Sequence, residues 1–133
     1  MSNTVEASLV WKAEQSFEAT SGARGMIVDG EQTAGWSPMQ HLLVALGGCM
    51  GIDIADILMK MRTPPTRLGL ELVGERPEDP PRRFNRITLL LKVEGDVPLK
   101  NVDRAVELSR DRYCSVWRTF SQDTEFNVDI EIS

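Results

Sequence analysis

A chain of 133 residues, 41% of them hydrophobic and 26% charged, has the length of one domain and can bury roughly two thirds of its unfolded surface, which excludes disorder beyond the first few residues. A net charge of -5 and a pI near 4.9 exclude non-specific nucleic-acid binding, which needs clustered Lys and Arg; the run Arg82-Arg83 with Arg86 is too short to reverse the balance. The longest apolar stretch, Leu42 to Met50, falls short of the ~20 residues that cross a bilayer, and no signal segment opens the chain, so a cytoplasmic protein that meets no membrane is expected.

With no internal repeat or linker, residues 1-133 read as a single domain in three parts. Short β-like runs at 5-11 and 15-20, then Gly22 and Gly25 around Arg24, then Met26-Ile27-Val28 before Asp29-Gly30, predict a three-stranded antiparallel meander. Ser37-Pro38-Met39-Gln40 predicts a helix start, with Ser at the N-cap, Pro at the first helical position and Gln completing a capping box. That helix can run to about Arg62, where Thr63-Pro64-Pro65 must stop it. Its first half is apolar on nearly every side, so Cys49 sits mid-helix in a buried setting.

Two strands follow, at 67-76 and 82-94, in which Phe84, Ile87, Leu89, Leu91 and Val93 largely alternate with polar residues. A helix begins at Pro98, with Leu99, Val102, Ala105, Val106 and Ser109 at helical spacing, and it or a short successor carries Cys114. The alternation of Phe126, Val128, Ile130 and Ile132 with polar residues closes the chain as a half-buried strand. The order β-β-β-α-β-β-α-β is not that of a doubly wound sheet, so the fold class is α+β. A domain this small has few elements to cover a helix that is apolar all round; a homodimer burying it between subunits is the natural solution.

In a reducing compartment two cysteines 65 positions apart, without C-x-x-C, are not a disulfide framework, and one histidine supplies no usual zinc ligand set, so no metal is expected. Whether Cys49 and Cys114 are small apolar core residues or a redox pair stays open on the residues alone. A thiol of pKa near 8.5 is about 3% ionised at pH 7, and a mid-helix position takes no help from that helix's N-terminus. Arg24, presented between glycines, is the candidate cation, although a lone turn arginine is usually just solvated. His41, one turn into the helix and without an elbow motif, reads as structural. Asp53 and Asp56, three apart, resemble a carboxylate pair but read more simply as a solvated or subunit-facing edge.

Taken in order, Ser37-Pro38-Met39-Gln40-His41-Leu42-Leu43, Ala45-Leu46-Gly47-Gly48-Cys49, Lys60-Met61-Arg62, Glu75-Arg76 and Arg112-Tyr113-Cys114-Ser115-Val116 resemble the OsmC/Ohr family, on the general OsmC-like side rather than the Ohr side. The resemblance spans about residues 20 to 120. It implies antiparallel sheets packed around a long central apolar helix in an intertwined homodimer, with two thiol sites at the subunit interface. It also implies thiol-dependent reduction of organic or small hydroperoxides in oxidative or osmotic stress. Cys49 would form a sulfenic acid that Cys114 resolves to a disulfide, Arg24 in the family's G-x-R turn would hold the thiolate ionised, and an external dithiol, lipoyl or another thiol, would reduce the pair without metal or cofactor.

One departure stands out. The family members that reduce organic peroxides well pair that arginine with a glutamate at the position of Met39 or Gln40, and neither is acidic here. Both residues remain candidates for the pocket. The alternative reading is a dimeric binding or stress-associated protein with little or no turnover.

Overall fold

A computed structural model of the chain describes residues 3-133. Within the span read as one domain the chain gathers into two compact units, the first ending at Leu42 and the second running Leu43-Ser133. In the first, β1 (Ser8-Ala13), β2 (Ser16-Ser21) and β3 (Arg24-Asp29) form the antiparallel meander that the sequence predicts, in the order β1-β2-β3. Gly22, at φ +63°, turns the chain between β2 and β3 in a conformation that side chains with a Cβ rarely adopt. After β3 the carboxylate of Asp29 accepts hydrogen bonds from the N-H groups of Ala34, Glu31 and Thr33 and from the Thr33 hydroxyl. These donors hold its pKa below the ordinary carboxylate value.

Helix α1 (Pro38-Lys60) starts and stops for local reasons. Ser37 Oγ accepts from the Gln40 N-H at 3.3 Å, and Gln40 Oε1 accepts from the Ser37 N-H at 2.8 Å, the reciprocal pair of a capping box. At the other end Arg62 adopts a left-handed φ of +61°. The Arg62 N-H reaches the Met59 carbonyl and the Thr63 N-H the Leu58 carbonyl, both at 3.0 Å, which is the Schellman arrangement. The helix therefore ends two residues before the predicted Arg62.

The second unit carries a sheet in the order β4-β5-β6, formed by Arg67-Glu75, Arg86-Glu94 and Glu125-Ile132. β4 and β5 are antiparallel, but β5 and β6 are parallel, with Arg86 opposite Glu125 and Val93 opposite Ile132. This corrects the expectation of antiparallel sheets throughout. Between β5 and β6 the chain passes through α2 (Leu99-Leu108), a π-helical turn (Ser109-Tyr113) and α3 (Ser115-Thr119). A crossover of that length can carry the chain back to the end where β5 began, which is what a parallel neighbour requires.

Alternation along β5 buries Ile87, Leu89, Leu91 and Val93, and α1 contributes Leu46, Met50, Ile54 and Leu58 at four-residue spacing, all fully buried. Each such side chain removed from water contributes about 1.5-3 kcal/mol. α1 approaches β4 closely at Gly47, where a Cβ would lie 2.7 Å from Leu72 Cδ1. By length and composition α1 could cross a membrane; its buried stripe, together with Asp53, Asp56 and Lys60 in its second half, marks it as a core helix. The chain by itself covers that stripe and leaves Val44, Ile52 and Met59 more than half exposed.

Candidate active site

The pattern of buried positions along α1 brings Cys49 onto a half-buried flank in mid-helix, with Asp53 four residues on and so one turn along the same flank. The second thiol arrives from the crossover. The Cys114 N-H donates to the Ser109 carbonyl at 2.7 Å, a five-residue step that widens the end of α2 into the π-helical turn. Cys114 then caps α3, where its Sγ accepts from the Trp117 N-H at 3.3 Å, and its side chain is fully buried. Trp117 packs over this end against Phe126, with ring centroids 4.5 Å apart.

The Cys49 and Cys114 sulfurs and a carboxylate oxygen of Asp53 all lie within 4.8 Å of one another, and both cysteines are free thiols. Asp53 Oδ2 in turn accepts a hydrogen bond at 2.8 Å from the hydroxyl of Ser109, a fully buried residue of the π-helical turn. Beyond Asp53 a cavity of about 350 Å³ is lined by Asp56, Ile57, Lys60, Leu108 and Tyr113. Asp56 and Lys60, one turn apart on α1, are ion-paired along one wall of it at 3.0 Å.

The thiols titrate in opposite directions. Burial pushes Cys49 up, but the Val116 N-H, the Cys114 thiol and the Ser115 hydroxyl, 4.0 Å away, outweigh it against the opposing charge of Asp53. The net result is a Cys49 pKa below the ordinary thiol value. Burial pushes Cys114 up to about 11; the Trp117 N-H opposes this, while the Cys49 thiolate and Asp53 add to it. A Cys114 S-H donating to a Cys49 thiolate accounts for both directions, because it favours the charged form of one sulfur and the neutral form of the other.

Placement of the remaining candidates differs in kind. Arg24 opens β3 in the first unit and lines a shallow cavity there with Ala7, Ala19, Thr20, Ser21, Gly25 and Met26. The groups that favour the Cys49 thiolate, Val116, Cys114 and Ser115, all belong to the second unit. Gln40 is engaged in the capping box. Met39 is half-buried on the same first turn. The His41 ring stacks at a tilt on Trp36, centroids 5.6 Å apart, in keeping with a structural role.

Sequence reasoning missed three groups. α1 does not activate Cys49 by its own N-terminus; the N-H of Val116, at the start of α3, does part of that work. Asp53 belongs with the thiols rather than with Asp56, and its spacing of four from Cys49 was the signal that could have found it. Ser109 was placed on the core face of α2 by its spacing, but its bond to Asp53 depends on how two distant elements meet.

Comparison with known proteins places this geometry in a family. The family model described as OsmC-like protein matches residues 29-129. Protein YhfA of Escherichia coli strain K12 is 36% identical over 115 residues, covering 84% of this chain and 86% of YhfA. The crystal structure of a hypothetical protein from Aquifex aeolicus VF5 superposes with a TM-score of 0.92 at 28% identity, covering 99% of this chain and 98% of that one. The organic hydroperoxide resistance protein OhrB of Bacillus subtilis shares the fold at a TM-score of 0.66 and 13% identity, with 98% of each chain covered. A family match over most of the chain, around a central helix that carries the first of two adjoining thiols, shows that this protein belongs to the OsmC-like family.

Proposed function

We propose that the protein is a thiol-dependent peroxidase that reduces organic or small hydroperoxides in a redox stress role. The observation that carries the reading is the adjacency of two free thiols with opposite titration, Cys49 below the ordinary value and Cys114 at about 11. The Cys49 thiolate attacks the terminal oxygen of the hydroperoxide; the O-O bond breaks, the sulfur becomes a sulfenic acid, and the departing alkoxide takes a proton to leave as the alcohol. Cys114 then displaces the sulfenic oxygen as water and closes the disulfide. A dithiol such as a lipoyl group returns the pair to the reduced state, and neither metal nor cofactor takes part. Arg24 is the cation of this reading, delivered within a homodimer whose interface covers the exposed Val44-Ile52-Met59 face of α1. The cytoplasm is the compartment that keeps the pair reduced.

Mass spectrometry after one equivalent of cumene hydroperoxide tests the reading: loss of two hydrogens, mapped to Cys49-Cys114, is expected, and replacing Cys49 with Ser abolishes peroxide consumption. An unchanged mass would instead favour a second reading, an OsmC-like binding or stress-associated protein without turnover. The observation on its side is that Gln40, which stands where efficient relatives carry an acid, is occupied in capping its own helix.

A further inference from the structure

The carboxylate of Asp53 is an awkward neighbour for a nucleophilic thiolate. Its negative charge works against ionisation of Cys49 and of Cys114 alike. The fold nevertheless holds it there, by the Ser109 hydroxyl at 2.8 Å and within 4.8 Å of both sulfurs. A group that opposes the first chemical step needs a use in another. The second step supplies one, because Cys114 is fully buried and reaches its partner as a neutral S-H. A thiol attacks only after its proton has gone, and a buried thiol has no bulk water to give it to.

We infer that Asp53 is the general base of the resolving step, taking the Cys114 proton as that sulfur attacks the oxidised Cys49. The Cys114 S-H bond breaks toward the Asp53 carboxylate. The new S-S bond forms as the Cys49 S-O bond breaks, and the departing hydroxide recovers the proton from Asp53 and leaves as water. Ser109 is a positioning residue, since its hydroxyl donates to Oδ2 and orients the carboxylate toward the sulfurs. The titratable groups around Asp53 are Cys49, Asp56 and Lys60 on α1, Tyr113 on the π-helical turn, and Cys114. Asp56 and Lys60 neutralise one another at 3.0 Å, so Asp53 is the carboxylate left beside the thiols.

The inference rests on the two-thiol reading above, and its test is chosen to separate the two. With a hydroperoxide, sulfenic acid is trapped by dimedone and disulfide is followed by mass, for the wild type and Asp53→Asn. With an aromatic disulfide reagent (Ellman's), no peroxide is needed. The half-buried Cys49 reacts ahead of the fully buried Cys114 and releases one thionitrobenzoate, and attack by Cys114 on the mixed disulfide releases the second. Asp53→Asn is expected to slow the second release about 100-fold or more at pH 7, the lower end of what a general base contributes. The rate should then rise about tenfold per pH unit as hydroxide takes over, whereas the wild-type rate changes far less between pH 6 and 8. Capture of Cys49 itself should be as fast or faster, its opposing charge having gone. Equal second-release rates and equal pH profiles in wild type and Asp53→Asn would overturn the inference. A wild type that shows neither trapped sulfenic acid nor disulfide after the hydroperoxide would overturn the peroxidase reading instead. Should Asp53→Asn fail to fold, Ser109→Ala decides: a several-fold slowing of the second release alone supports the inference, and an unchanged release overturns it.

Discussion

Selective alkylation of the two thiols at neutral pH follows from their surroundings. Cys114, at about 11, is ionised to about one part in 10,000 at pH 7, against about 1% for a thiol at the ordinary value of 9.0. Cys49 lies below that ordinary value, so ionisation alone favours it by at least about 100-fold. A more basic thiolate is intrinsically the better nucleophile, which returns about tenfold to Cys114. The net preference is then at least about tenfold before burial counts, and Cys114 exposes no surface at all. A brief pulse of iodoacetamide on native protein at pH 7, quenched and mapped by peptide mass spectrometry, should place the label on Cys49. As pH rises, the midpoint of Cys49 labelling should fall below that of a free thiol, while Cys114 labelling continues to climb at higher pH. Labelling of Cys114 within twofold of Cys49 at pH 7 would refute the assignment of nucleophile and resolving thiol.

Removing the Cys114 S-H donor by Cys114→Ala should move the midpoint of Cys49 alkylation upward, and Ser115→Ala should move it the same way by less, since each donor favours the thiolate. Raising Cys114 from 9.0 to about 11 makes its neutral form a source of about 2-3 kcal/mol of stability that is complete below pH 9 and lost as pH climbs toward 11. Urea unfolding at pH 8 and pH 11 should show this loss in the wild type and a smaller one in Cys114→Ala. Ile54→Ala, at a fully buried position of α1, should cost about 2-5 kcal/mol in the same unfolding assay. The homodimer proposed above predicts that Ile52→Glu, at a residue of α1 that the single chain leaves 72% exposed, halves the mass measured by light scattering; a dimer mass in wild type and variant alike would place the interface elsewhere, and a monomeric wild type would overturn the proposed dimer.

Much of the fold was legible because its signals are local. The capping box at Ser37-Gln40 and the stop before Pro64-Pro65 involve residues a few positions apart, and α1 begins and ends accordingly. The alternation in β5 is likewise a property of neighbours, and its buried residues are those that alternation predicts. The resemblance of the Cys49 and Cys114 segments to the OsmC-like family was also carried by short runs of residues, and the match over 29-129 bears it out.

What sequence by itself determined, then, is the class of fold, the long apolar helix and the two thiols as the place to look. Tertiary structure decided three things that no local pattern carries: the parallel pairing of β6 with β5, the electronic inequality of two otherwise similar cysteines, and the membership of Asp53 in their site. The reason is common to all three. Strand direction depends on where a crossover returns the chain, and a thiol's ionisation depends on which N-H groups and charges stand within a few ångströms. Cys49 takes its N-H donor from Val116, 67 positions away, and Asp53 takes its hydroxyl from Ser109, 56 positions away. Spacing along a chain can place a residue on a face, but only packing supplies the neighbour from another element that sets its chemistry.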